Sequence, residues 1–167
     1  DPHIKANYSV DDLSGKKTNK QELRRIAGLA DSKDVPIIAF VSRLVSMKGL
    51  DLIAHIMDEM MQLDVQMVLL GTGERRYEEM FRYFNELFPS KFRAFLTFDE
   101  KKSHTLYAGA DLLMMPSLKE PCGISQLIAM RYGTLPIVRE TGGLKDTVIP
   151  NNKHTGEGTG FSFANNN

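Results

Sequence analysis

Apolar positions along the chain fall into short continuous runs separated by longer amphipathic stretches. Residues 36–41 are apolar almost throughout, as are 65–70 and 111–115, and such runs suit strands buried on both faces of a sheet. Between them the period changes to that of a helix. In 49–61, Leu50, Ile53, Ala54, Met57 and Met61 share one face, and 74–88 is a second helix that stops ahead of Pro89. Residues 92–98, 135–138 and 160–163 read as further strands, and 102–109, 123–132 and 143–148 as helices, with Gly133 closing the middle one. Thr18 with Gln21 three residues on forms a capping box that opens a helix over 18–30, its face made by Leu23, Ile26, Ala27 and Ala30. Residues 1–17 show no period and read as an extended arm.

The strands recur about every 19–29 residues with a helix between each pair, which predicts an α/β fold, a Rossmann-like parallel sheet with helices on both faces. Ligands in such sheets bind at the carboxyl ends of the strands. The loops after Val41, Leu70, Phe98, Met115 and Val138 are therefore the ones to inspect.

Composition narrows the classes. At 167 residues, 42% apolar and 25% charged, the chain is an ordinary globular domain able to bury its own core. Lys+Arg and Asp+Glu are both 21, so no excess of cations exists for binding nucleic acid. No apolar run approaches the roughly 20 residues of a membrane helix, and the first residues carry no leader-type apolar region. One cysteine, Cys122, excludes an internal disulfide framework and a cysteine-ligated zinc, and points to a reducing, intracellular compartment. His3, His55, His104 and His154 form no ligand pattern, so no metal site is expected. The first residue is not Met and the last are polar, the ends expected of a piece of a longer protein.

The loop after 36–41 carries Arg43 and Lys48 on either side of a turn that opens a helix. Two cations beside free helix-start N–H groups make an anion site, Arg suiting a bidentate phosphate contact and Lys a point contact. Two cations on a solvated loop would give the same local pattern, and locally that reading is favoured. Gly71-Thr72-Gly73 follows a strand as a dinucleotide-binding turn does, but Arg76 stands where the third glycine belongs. Those glycines read first as a tight turn with positive φ, and second as room for a ligand. Phe98 at a strand end can stack on a base, although a core position is the favoured local reading.

The stretch Pro116–Gln126 is the most informative. Glu120 precedes Pro121 and a helix start, and Pro121 and Gly123 restrict the backbone so that the N–H groups of Cys122 and Gly123 stay free. A carboxylate beside free N–H groups can grip vicinal sugar hydroxyls; the alternative is a carboxylate that only complements a helix dipole. Cys122 has no sequence-adjacent His to activate it and reads as a structural thiol. Thr141, Gly142 and Gly143 again put glycines ahead of a helix, a weaker candidate phosphate site.

Taken together, SRLVSMKGLD, VLLGTGE and YAGADLLMMPSLKEPCGISQLIAMRYGTLPIVRETGGLKDTV resemble the bacterial glycogen synthase and plant starch synthase family over most of residues 1–163. The resemblance implies the carboxyl-terminal, donor-binding half of a GT-B glycosyltransferase, in which two Rossmann-like domains enclose the active site. It implies transfer of glucose from ADP-glucose to the non-reducing end of an α-1,4-glucan, with retention of configuration. Residues 1–17 become the interdomain connection and 18–167 the nucleotide-sugar-binding domain. The family's amino-terminal KxGGL motif has no counterpart here and family members continue past residue 167, so both ends are expected to be cut. The glucan is then expected to be held through the absent half, and this chain to be a nucleotide-binding module with little activity by itself.

Residue by residue, the resemblance puts Arg43 and Lys48 on the donor diphosphate, Glu120 on the donor glucose and the Cys122–Gly123 backbone on sugar hydroxyls. It puts Thr141, Gly142 and Gly143 near the distal phosphate and Phe98 on adenine. It implies no metal or other cofactor, and a cytoplasmic location, or a plastid for a plant protein. Two positions depart from wider patterns. Ile128 stands where related retaining transferases carry a second Glu, a feature shared with glycogen and starch synthases, and Met47 stands where Gln usually precedes the lysine. A UDP-sugar-dependent GT-B transferase is disfavoured by the EPCG block with Gln126 and Ile128, and a dinucleotide oxidoreductase by the incomplete glycine fingerprint.

Overall fold

The structure, a computed structural model, describes residues 1–32 and 34–165; residues 166 and 167, the end of the expected domain, lie outside the described residues. Six strands form one parallel sheet: β1 (Ile37–Val41), β2 (Gln66–Leu70), β3 (Phe92–Phe95), β4 (Leu112–Met115), β5 (Leu135–Arg139) and β6 (Phe161–Phe163). Their order is β3-β2-β1-β4-β5-β6, every neighbouring pair parallel. The helices are α1 (Ser14–Ala27), α2 (Leu50–Gln62), α3 (Arg75–Leu87), α4 (Glu100–Gly109), α5 (Ser125–Arg131) and α6 (Gly142–Thr147), with a 3₁₀ turn at Ser46–Lys48 ahead of α2. None of the described helices is long and apolar enough to cross a membrane.

The near-continuous apolar runs have the predicted cause. Side chains of β1 alternate between two buried faces: Ile38 and Phe40 pack with Met57 and Phe81 of α2 and α3, whereas Ile37 and Ala39 pack with Leu23, Leu106 and Ala129 of α1, α4 and α5. Phe81 and Phe92 stack with centroids 6.0 Å apart in the first of these cores.

Three local expectations are corrected. Helix α1 begins at Ser14, inside the stretch read as an arm, because the Asp12 carboxylate accepts the Ser14 N–H at 3.0 Å; Thr18 sits within the helix and caps nothing. The helix ends three residues early, at Gly28 (φ 64°), whose N–H and that of Leu29 return to the carbonyls of Arg25 and Arg24. Strand β3 stops at Phe95, level with the last residue of β2, so Phe98 is outside the strand and outside the core. The glycines of Gly71-Thr72-Gly73 have no positive φ; they let β2 leave the sheet in backbone contact with Ser42 and Leu44, where any Cβ would collide.

The segment before α1 is docked rather than loose. Buried Asn19 accepts the N–H groups of Lys5 and Ala6 at 2.9 and 3.3 Å and donates to the Ala6 carbonyl, which ties that segment to α1, and its remaining proton goes to the Gly15 carbonyl within the helix. Tyr8 donates its hydroxyl to the Tyr132 carbonyl at 2.6 Å. Lys16 reaches into the same seam and donates to Ala108, Tyr132 and the Thr134 hydroxyl at 2.9–3.1 Å.

Burial pushes the Lys16 amine down to about 8, against the opposing pull of Asp111 and with help from Lys20. Unfolded, the amine keeps its proton to about pH 10.4. Between pH 8 and 10 the unfolded state therefore binds more protons, and this group makes stability rise with pH. Tyr8, raised to about 12 by burial, acts in the opposite direction only above pH 10. The urea midpoint of the chain is expected to climb from pH 8 to 10 relative to that of Lys16→Met; parallel curves for the two proteins would refute the assignment.

Candidate active site

Strand order reverses at β1: β2 and β3 lie to one side, β4, β5 and β6 to the other. The loops leaving the carboxyl ends of β1 and β4 consequently diverge and leave a crevice, the usual ligand position in this sheet type. Lys48 comes from the first loop and Glu120 from the second. Their Nζ and Oε2 atoms meet at 2.7 Å, with 20% and 13% of the two side chains exposed. The Ser117 hydroxyl, on a residue that is itself 2% exposed, donates to the same Oε2 at 3.3 Å. The loops are also joined through backbone, Leu118 N–H to the Met47 carbonyl at 2.9 Å.

Two cavities open side by side here, sharing Val41 and Ser42. One, of about 280 Å³, contains Lys48, Glu120, Gly123 and Ser117. The other, of about 380 Å³, contains Arg43, Phe98, Thr72 and Ser103. Phe98 is 90% exposed at its edge, a full aromatic face presented to solvent rather than to the core. Arg43 is exposed, and no ion pair holds it among the described residues. Cationic, carboxylate and aromatic groups predicted from separate loops thus line two adjoining chambers, a layout able to take an elongated ligand with a base at one end and a polyol at the other.

Cys122, read from the sequence as a structural thiol, is exposed. Its N–H and that of Gly123 donate to no acceptor among the described residues, and Gly123 holds φ 71°. Thr141, Gly142 and Gly143 line neither cavity. They lie behind the Glu120 loop, and the Gly143 N–H is engaged by the Glu120 and Pro121 carbonyls at 3.1 and 3.2 Å. A Cβ on Gly143 would overlap the Cys122 carbonyl. The first task of these glycines is to let α6 press against the backbone that carries Glu120. Sequence reasoning overlooked Ser117, and treated Gln126 only as a marker. The signal available for both was a polar residue in an otherwise apolar surrounding: each is buried, at 2% and 0% exposure.

The family model for glycosyl transferases group 1 matches residues 19–167, and the chain belongs to that family. It is 55% identical to a glycogen synthase of Finegoldia magna and 54% identical to one of Clostridioides difficile, each over the whole of this chain and 35% of the relative. Among solved structures, it superposes on the catalytic domain of Arabidopsis thaliana starch synthase IV, bound to ADP and acarbose, with TM-score 0.92 and 40% identity, covering all of this chain and 35% of that one. The chain therefore spans about a third of the length of these relatives. The Rossmann-like half of a GT-B glycosyltransferase expected from the sequence is the fold observed.

Replacing Gly143 with Ala should cost about 1–3 kcal/mol by forcing α6 off the Glu120 loop. Urea unfolding measures it, and a variant as stable as the parent would show that the contact is not tight.

Proposed function

We propose that the chain is the donor-binding half of a retaining glucosyltransferase that moves glucose from ADP-glucose to the non-reducing end of an α-1,4-glucan. The observation that carries the reading is the meeting of Lys48 and Glu120 across the switch-point crevice, beside a second chamber edged by Phe98 and Arg43. The likeness to glycogen synthases, and the ADP bound to the starch synthase, support it.

In this reading Phe98 stacks on the adenine and Arg43 and Lys48 take the diphosphate. Lys48 exchanges its carboxylate partner for a phosphate oxygen, and freed Glu120 accepts hydrogen bonds from glucose hydroxyls. The bond between the glucose anomeric carbon and the phosphate oxygen breaks and the departing ADP collects negative charge. Cations already in place stabilise that charge without reorganising. The acceptor hydroxyl attacks on the same face, and its proton leaves with the phosphate. The charge on the leaving group is assigned to these two side chains, with no metal invoked. The glucan is held by the other half of the enzyme, so this chain alone binds the donor and transfers little.

Calorimetric titration should show ADP and ADP-glucose binding to the chain, with Lys48→Ala weakening both by about tenfold or more, the scale of a lost charge-assisted contact. Equal binding of UDP and UDP-glucose would turn the reading towards the UDP-sugar alternative, and failure to bind any nucleotide would remove it. In the complete enzyme, Glu120→Ala should reduce glucose transfer by at least about a hundredfold while the protein stays folded. Retained transfer would count against the role given to Glu120.

A further inference from the structure

The Glu120–Gly123 segment has no regular secondary structure, yet it carries the carboxylate and the free N–H groups on which the proposed sugar site depends. Gln126, on the first turn of α5 and wholly buried, is the side chain that reaches back to it. Its Nε2, with two protons, lies within hydrogen-bond distance of three acceptors: the Gly123 carbonyl and the Thr147 hydroxyl, each at 3.0 Å, and the Cys122 carbonyl at 3.3 Å, which shares a proton with them. That hydroxyl in turn donates to the Gly143 carbonyl at 2.6 Å. The other end of the amide, Oε1, has no partner among the described residues. Three acceptors crowd one end of the amide, and the Thr147 proton is committed elsewhere, so the nitrogen belongs where it stands. A buried carbonyl oxygen without a partner is costly. An apolar side chain of the same length would avoid that cost, so the amide stands out for what its nitrogen holds.

Peptide geometry says what that is. In a trans peptide the C=O of one residue and the N–H of the next point to opposite sides. Drawing the Cys122 carbonyl towards Gln126 turns the Gly123 N–H the other way, and drawing the Gly123 carbonyl does the same for the Ile124 N–H. Gly123 and Ile124 both line the cavity that holds Lys48 and Glu120, and neither N–H has an acceptor among the described residues. We propose that Gln126 is a positioning residue: its amide fixes the Cys122 and Gly123 carbonyls on the α5 side and so aims two backbone donors at the hydroxyls of the donor sugar. Thr147 extends the clamp to α6, which ties the two loops after β4 and β5 into one unit. The inference rests on the donor-site reading above and names the group that makes its sugar end specific.

The test is the ratio of two affinities, measured by calorimetry on the chain. ADP does not touch the 122–124 backbone in this scheme, so Gln126→Met should bind ADP within about twofold of the parent and ADP-glucose about tenfold more weakly, the scale of one or two lost hydrogen bonds. Thr147→Val, which loosens the clamp but leaves both loop contacts, should lie between them, and supplies the ratio should Gln126→Met not fold. In amide NMR spectra the Gly123 resonance should shift with ADP-glucose but not with ADP, and this difference should vanish in Gln126→Met. Unchanged ADP-glucose affinity in the variants would overturn the proposal while leaving the donor-site reading intact. Equal loss of both nucleotides would reduce Gln126 to a structural role and overturn it as well. Absence of binding of either nucleotide to the parent chain would remove the donor site itself, and the inference with it.

Discussion

The reversal of strand order at β1 is the constraint on which the rest of the molecule depends. A chain that has built β1, β2 and β3 in one direction must return to β1 and continue with β4 on the other side. Right-handed crossovers then send α2 and α3 to one face and α4 and α5 to the other. No connection bridges the carboxyl ends of β1 and β4, so the two loops leaving them face each other over an open crevice. Lys48 and Glu120, 72 residues apart in sequence, thereby come from facing loops and meet at 2.7 Å.

A crevice between irregular loops needs something other than a hydrogen-bonded ladder to hold its shape. Here the means are backbone contacts and a few buried polar side chains. Gly143 gives its N–H to two carbonyls of the Glu120 loop and leaves no Cβ to keep α6 away. On the other side of β1, Leu44 exchanges hydrogen bonds with Thr72 and Glu74, so the loop bearing Arg43 is pinned to the turn after β2. Contacts of this kind tolerate little movement, because the groups involved are main-chain atoms with no rotamers to adjust. Within that frame Lys48 and Glu120 hold each other across the crevice, and Arg43 stays exposed beside them.

Much of this was legible in the sequence, for a physical reason: a parallel sheet covered on both faces writes itself as short apolar runs alternating with amphipathic helices, and all six strands were found on that signal. Errors arose where a local pattern had a competitor. Thr18 and Gln21 offered a capping box, but Asp12 supplied an acceptor earlier, and Gly15 lets the helix start there because the Asn7 carbonyl sits where a Cβ would go. Phe98 continued an apolar run, yet a strand persists only as long as its neighbour does, and β2 turns away after Leu70. Gly71 and Gly73 were read first as a turn with positive φ; the reason for them is close approach of a distant backbone, which leaves no trace nearby in sequence. The candidate site was legible as a set of loops; the pairing of Lys48 with Glu120, the two chambers and the place of Gly143 behind the loop were not, because each is a relation between segments far apart in the chain.

Buried polarity divides the molecule in two. At the seam with the residues before α1, Asn19 and Thr134 are wholly buried and Lys16 lies with them, and all three have their hydrogen bonds met by backbone carbonyls, amides and each other. Such a network holds one arrangement and offers nothing to a ligand. At the carboxyl ends of the strands the accounting is left open. Gln126 has an oxygen without a partner, and the N–H groups of Cys122, Gly123 and Ile124 have no acceptor among the described residues. Native folds satisfy nearly all buried polar groups, and those that they do not satisfy call for a cause. Among the described residues the buried side-chain exception is the Gln126 oxygen, just behind the loop that carries Glu120, whereas the N–H groups of Cys122 and Ile124 belong to exposed residues. Those open backbone donors beside Lys48 and Glu120, more than the depth or size of the cavity, are what the proposed sugar site rests on.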